Sequence, residues 1–175
     1  MTESVEFDFF SESAKRYIAF AEKSPYWFKY EQPILSKALD RISRVEKVLD
    51  LGIGTGRVAK LLQDKGFEKN AIYGIDKNKT FLSQARKVLA PDNLINGDIL
   101  NLSAYFESNS FELISASLVL NSFNLNSLSE AYAQGVNVLK SGGSILVVLP
   151  EPVLQLWQEY GYDSLVGEFQ KEHIG

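Results

Sequence analysis

Three glycines at alternate positions, Gly52, Gly54 and Gly56, follow the apolar run Val48-Leu49-Asp50-Leu51, and the acid Asp50 stands just ahead of them. Glycine lets a backbone turn sharply and approach a bound molecule where a Cβ would collide. Gly54-Thr55-Gly56-Arg57-Val58-Ala59 satisfies the G-x-G-x-x-A pattern of dinucleotide sites, although glycine-rich turns also serve purely structural ends. Charge helps to separate the candidate ligands. A carboxylate at Asp50 repels a diphosphate and attracts a cation, and a unit-charge pair near ~4 Å is worth about 4 kcal/mol at an effective dielectric of about 20, before desolvation is subtracted. If Asp50 only bonds loop N–H groups, that argument weakens.

Two more acids follow apolar runs. Asp76 closes Tyr73-Gly74-Ile75-Asp76, about twenty positions beyond Gly56, where a carboxylate can accept from both hydroxyls of a ribose; its structural alternative is the cap of a helix starting near Lys79. Asp98, in Ile95-Asn96-Gly97-Asp98-Ile99, can accept from an adenine amine while Ile99 packs on the ring, or it is an exposed loop residue. Three acids around one glycine turn suit a phosphate-free nucleoside bearing a sulfonium and an ammonium, which describes S-adenosylmethionine.

The elements that must position these residues alternate. Between Val45 and Leu149, short apolar runs trade with stretches of helical period, the pattern of a parallel sheet with helices on both faces. Strands are expected at Lys47–Leu51, Ala71–Asp76, Asn93–Asn96, Phe111–Ser117 and Ser144–Leu149. Helices are expected at Arg57–Lys65, Lys79–Leu89 and Ser127–Leu139, with Gly142 and Gly143 breaking the chain before the last strand. One helix from about Phe9 to Glu22 and another after Tyr30, with Pro33 in its first turn, make an amino-terminal cap. No repeat or flexible linker divides the chain, so one domain is expected: a cap over 1–43, a cofactor-binding core over 44–150 and a carboxy-terminal helix over 151–175. In such sheets ligands sit beyond the carboxyl ends of the strands.

Composition narrows the function. With no cysteine and the single histidine His173, disulfides, thiolate metal sites and multi-histidine sites are excluded, and no metal is expected. Glu3, Glu6 and Asp8 stand where a secretory signal would be basic, and no apolar run approaches the ~20 residues that span a bilayer, so a cytoplasmic protein with no membrane association is expected. A net charge of -4 without a basic block argues against a nucleic-acid face and for a small-molecule substrate.

As a set, these residues resemble the class I S-adenosylmethionine-dependent methyltransferases, of the small-molecule type. Val48-Leu49-Asp50-Leu51-Gly52-Ile53-Gly54-Thr55-Gly56 looks like the D/E-x-G-x-G-x-G signature, and Val138-Leu139-Lys140-Ser141-Gly142-Gly143 like the L-K-P-G-G turn before strand five; Asp76, Asn96-Gly97-Asp98 and Phe111-Glu112-Leu113-Ile114 fall where that family expects them. The resemblance covers most of residues 31–150. It implies a Rossmann-like α/β fold, S-adenosylmethionine as methyl donor with S-adenosylhomocysteine as product, and cofactor contacts from Asp50, Gly52, Ile53, Gly54, Gly56, Asp76, Lys77, Asp98, Ile99 and Ser117. Tyr26 and Tyr30 cover the cofactor's methionine end in this reading, or pack within the cap. The family's sheet usually continues through two further strands, and the residues after Leu149 are too few for both. Strand five is therefore expected at an exposed edge, covered by the final helix, a swapped segment or a second copy in a homodimer.

The substrate side is less legible. Displacement at a sulfonium methyl depends chiefly on alignment and needs no dedicated base. Asn121, Ser122, Phe123 and Glu151 follow strands four and five; Asn121 could orient a hydroxyl and Glu151 could take a proton, while either also reads as a cap or loop residue. His173, three residues from the end, is expected to be frayed. Ser117-Leu118-Val119-Leu120-Asn121 differs from the D/N-P-P-Y/F sequence of nucleobase amino methyltransferases and resembles small-molecule enzymes of quinone, biotin and secondary metabolism. Two further readings stand beside this one: a noncatalytic cofactor-binding scaffold, and a dinucleotide-binding oxidoreductase of the NAD type.

Overall fold

Residues 12–21, 23–42 and 45–149 are described by a computed structural model of the chain. The expected carboxy-terminal helix, Glu151 and His173 lie outside them. Five strands, β1 (Val48–Leu51), β2 (Ile72–Asp76), β3 (Leu94–Asn96), β4 (Phe111–Ser117) and β5 (Leu139–Val148), form one sheet in the order β3-β2-β1-β4-β5, with every pair parallel. The α/β expectation holds, and the order places the topological switch between β1 and β4, where a crevice opens beyond the strand ends.

Strand β1 is buried along its whole length, as a central parallel strand covered on both faces must be. Its alternate residues divide between two cores. Val48 joins Ile72 and Leu113 under the helices α2 (Gln32–Leu39), α3 (Arg57–Asp64) and α4 (Lys79–Ala85). Leu49 and Leu51 join Ile75, Ile114 and Ala116 on the opposite face, under the 3-10 segment Ile99–Ala104 and the helix α5 (Leu125–Val138).

Local chemistry sets the helix boundaries. Helix α3 buries Val58, Ala59, Leu61 and Leu62, one stripe of a 3.6-residue period, and begins at Gly56, whose φ of 88° is natural only to glycine. Asn78 caps α4 by accepting from the N–H groups of Thr80 (2.9 Å) and Phe81 (3.2 Å), and Asn124 caps α5 by accepting from Ser127 N–H (2.9 Å). Pro33 sits in the first turn of α2, as expected, and α1 (Glu12–Ala21) falls within the range read for the first helix.

Three boundaries differ from the sequence reading by two residues or more. Helix α4 stops at Ala85 rather than Leu89, because Val88 N–H closes a tighter turn onto Ala85 C=O at 2.8 Å. Helix α5 starts two residues early, where Asn124 provides the cap. Strand β5 starts at Leu139, not Ser144: Phe111 pairs with Leu139 and Leu113 with Ser144, so Gly142 and Gly143 bulge within the strand instead of preceding it. Gly142 takes a φ of 78°, and a Cβ on Gly143 would lie 2.9 Å from Glu112 C=O.

Among the described residues β5 pairs only with β4 and forms one edge of the sheet, with Val147 and Leu149 exposed. The segment expected to cover it lies beyond those residues. No helix among them is long and apolar enough to cross a membrane, and no cluster of three or more His, Cys, Asp or Glu side chains is placed to hold a metal ion.

Candidate active site

The glycine loop spans the gap between β1 and α3, and its own amides are turned inward. Ile53 N–H donates to Ile75 C=O (3.1 Å), Gly56 N–H to Ile53 C=O (2.9 Å), and Gly54 N–H to Asp76 Oδ2 (2.9 Å). A loop that cradles a diphosphate presents such amides to the anion; here three are spent on the protein, one of them on a carboxylate. Gly52 and Gly54 have φ of 62° and 55°. At Gly52 a Cβ would stand 2.4 Å from Val119 Cγ2, so the glycine lets the loops after β1 and β4 close on each other. Above Gly54 the nearest heavy atom to a Cβ would be Gly52 C=O at 3.8 Å, which leaves that side of the loop open.

Asp50 is buried, and its register partner across the β1/β4 pair is Ser115. Ser115 Oγ donates to Asp50 Oδ1 at 2.7 Å, while Asp50 Oδ2 is buried without a hydrogen-bond partner. The carboxylate bonds no loop amide, and the alternative role raised for Asp50 falls instead to Asp76. Burial pushes Asp50 up to about 7; the Ser115 bond opposes the shift, and the neighbouring charges of Asp76 and Glu31 add to it. A carboxylate so placed favours a positive partner.

Asp76 ends β2 and stitches the site together, accepting from Gly54 N–H through Oδ2 and from Asn78 N–H through Oδ1 (2.8 Å). Burial raises its pKa, and those two backbone bonds hold the rise down. It is not the cap of α4, a role Asn78 fills. Each oxygen keeps a lone pair for a further donor, as ribose recognition requires.

The remaining expected residues spread around this centre. Asp98 caps the 3-10 segment by accepting from Leu100 N–H (2.9 Å), and its Oδ2 pairs with Lys77 Nζ at 2.8 Å. Thus Lys77 and Asp98 hold each other across the ends of β2 and β3. Ile99 is buried in the core below them. The Ile53 side chain packs inward onto Gly74, where a Cβ would come within 2.2 Å of Ile53 Cδ1. Tyr26 and Tyr30 lie together, ring centroids 5.8 Å apart, at a π-helical turn (Trp27–Glu31) ahead of α2. Asn121 is exposed in the turn after β4 and caps no helix.

Sequence reasoning missed three residues. Ser115 was signalled by a polar residue in an otherwise apolar strand, opposite a buried acid. Glu31, only 2% exposed, accepts from Ser117 Oγ at 2.6 Å and stands 3.9 Å from Arg57 Nη2; an acid beside Pro33 reads as an exposed helix start, which hides it. Leu118, directly after β4, has a φ of 57°, a conformation that costs a non-glycine residue of order 1 kcal/mol and is typical of functional loops.

Two cavities open at the glycine loop and at the ends of β1 and β4. One of about 330 Å³ lies against Trp27, Thr55, Gly56 and Arg57. The other, about 500 Å³, has no charged residue in its lining and runs from Leu51 and Leu120 along α5 to Tyr132, Val147 and Leu149.

Comparison with known proteins agrees with this geometry. The chain is 32% identical over 122 residues to the ubiquinone/menaquinone biosynthesis C-methyltransferase UbiE of Xanthomonas oryzae, an alignment covering 67% of this chain and 47% of that protein. The chain therefore spans about half the length of that curated relative. An S-adenosylmethionine-dependent methyltransferase from Archaeoglobus fulgidus superposes with a TM-score of 0.67 at 19% identity, covering 82% of this chain and 63% of the other. A candidate methyltransferase of the same cofactor dependence from Methanococcus maripaludis gives 0.68 at 19% identity, over 94% and 77% of the two chains. At these identities the structures share the fold. The profile described as the methyltransferase domain matches residues 49–147, more than half of the chain, from within β1 through the glycine loop and into β5. Glycine loop, switch point and family profile coincide, and the chain belongs to the class I methyltransferase-domain family.

Proposed function

We propose that the protein binds S-adenosylmethionine at the β1/β4 switch point and transfers its methyl group to an uncharged small molecule. The observation carrying this reading is the loop itself: three of its amides are spent on the protein while acids surround it, which suits a cationic nucleoside and disfavours a diphosphate. The residues fit the cofactor. Asp50 Oδ2 is a buried acceptor awaiting a donor, the space above Gly54 is open, and Asp76 retains acceptor capacity at the ribose end. When bound, the cofactor supplies an electrophilic methyl on sulfur.

The chain's residues provide alignment rather than proton chemistry. The left-handed turn at Leu118 and the contact between Gly52 and Val119 fix the loop after β4 over the crevice. The neutral lining of the larger cavity, which reaches the carboxyl ends of β1 and β4 at Leu51 and Leu120, fits an apolar or aromatic acceptor. The curated relative is named for quinone C-methylation, which agrees with an aromatic acceptor. Asn121, exposed after β4, is the candidate in this reading for orienting an acceptor hydroxyl.

Incubation with methyl-labelled S-adenosylmethionine and a panel of neutral phenols and quinols, beside charged amines and carboxylates, tests this. Label is expected on neutral aromatic acceptors, with transfer blocked by Ser129→Trp, which fills the cavity from an exposed lining position. Label on charged acceptors alone, or no transfer to any acceptor, contradicts the reading.

A further inference from the structure

The smaller cavity, about 330 Å³, is a groove whose lining comes from α1 at Ile18, from the π-helical turn at Trp27 and Phe28, and from α3 and α4. Buried Trp27 and Leu61 give it an apolar floor, while Phe28, which also lines it, is 55% exposed. Its charge runs against that of the whole chain. The chain carries a net charge of -4, yet the charged side chains lining the groove are Arg57, Lys60 and Lys87 against the single acid Asp64. That acid is already taken, because Lys60 Nζ donates to Asp64 Oδ1 at 2.5 Å. Lys87 Nζ donates to the neutral Gln84 Oε1 at 2.6 Å, and Arg57 lies over the Trp27 ring with its nearest carboxylate contact, Glu31, at 3.9 Å. The groove therefore suits an occupant that is both apolar and acidic.

The chain carries such a segment immediately ahead of α1. Val5-Glu6-Phe7-Asp8, outside the described residues, alternates apolar and acidic side chains, so as an extended run it turns Val5 and Phe7 to one side and Glu6 and Asp8 to the other. Phe7 precedes Glu12, the first residue of α1, by five positions, a reach of about 16 Å when extended. Ile18 lies six positions into the same helix, a rise of about 9 Å, so the segment can fold back to the groove that Ile18 lines. We propose that the groove between α1, α3 and α4 is the docking site of this chain's own segment Val5–Asp8. Val5 and Phe7 enter over Trp27 and Leu61, and Glu6 and Asp8 meet Arg57 and Lys87, whose long stems bring their charged ends to the rim. Covalent attachment to α1 keeps the segment at high effective concentration beside the groove, an advantage that no free partner shares. Thr55 and Gly56 also line the groove, so the docked segment braces the start of α3 behind the glycine loop.

Because the chain has no cysteine, engineered pairs report on this directly. Under mild oxidation, Phe7→Cys with Gln84→Cys, a lining residue, is expected to close an intramolecular disulfide at least about tenfold faster than Phe7→Cys with Ser83→Cys, an exposed neighbour outside the lining. Adding Lys87→Glu to the first pair is expected to slow closure by about two- to fivefold, and adding Asp8→Lys as well to restore it. Equal rates for the two pairs, or no closure, overturn the proposal. So does a disulfide found only between chains, which would assign the groove to a second copy, and so does a rate indifferent to Lys87→Glu. If a cysteine variant fails to fold, amide exchange of the unaltered chain decides: residues 5–8 are expected to be protected and to lose protection in Lys87→Glu, and unprotected amides there overturn the assignment.

Discussion

Asp50 sets stability against binding. Burial raises its pKa from an ordinary 3.8 to about 7, so the folded chain favours the protonated acid while a cationic ligand favours the carboxylate. For an acid shifted upward on folding, the stabilisation is complete below the unfolded pKa, near pH 4, and is lost as pH climbs through about 7. Asp50→Asn removes that loss. Its melting temperature is expected to exceed the wild type's at pH 8, by the equivalent of about 4 kcal/mol, with the gap closing toward pH 4. Wild-type affinity for S-adenosylmethionine is expected to rise through pH 7 and level off above it, and the variant's to be weak and flat. Asp76→Ala should weaken cofactor binding by roughly 1 to 3 kcal/mol through its lost hydrogen bonds; unchanged affinity in titration would remove Asp76 from the site. The acids Asp50 and Asp76 were legible because they flank glycines at strand ends. Their division of labour was not, since which carboxylate bonds the loop amides depends on where β2 delivers its last side chain. Glu31 was illegible for a related reason: its burial arises from packing against β4 and α3, which lie far along the chain.

At the scale of elements, two glycines carry opposite predictions. Gly135 lies in the middle of α5, where a Cβ would meet Ile114 Cδ1 at 3.9 Å, an ordinary contact. Gly135→Ala is therefore expected to stabilise the fold by about 0.5–1 kcal/mol through helix propensity, read from denaturant midpoints. Gly74 in β2 admits no Cβ, because Ile53 lies 2.2 Å from that position. Gly74→Ala is expected to destabilise by about 1–3 kcal/mol and to loosen the glycine loop with it. The five strands and their helices were readable from alternating apolar runs and caps, since buried parallel strands leave a strong local pattern. The start of β5 was not readable. Gly142 and Gly143 look like a chain break, and only their pairing with Phe111 and Leu113 makes them a bulge inside the strand.

Across the whole molecule, β5 is the last strand of the sheet among the described residues, and its exposed Val147 and Leu149 border the larger cavity. An unpaired apolar edge invites a partner. Amide exchange along β5 is expected to be as slow as along β4, because another part of the chain or a second copy covers it; fast exchange confined to β5 would show a bare edge. In the proposed reading the neutral cavity takes the acceptor and the acidic crevice the cationic donor. The donor half is the central claim, and parallel calorimetric titrations of the intact chain with S-adenosylmethionine and with NAD test it most directly. Saturable one-to-one binding of S-adenosylmethionine with no heat from NAD is the predicted result, and binding of NAD alone would contradict it.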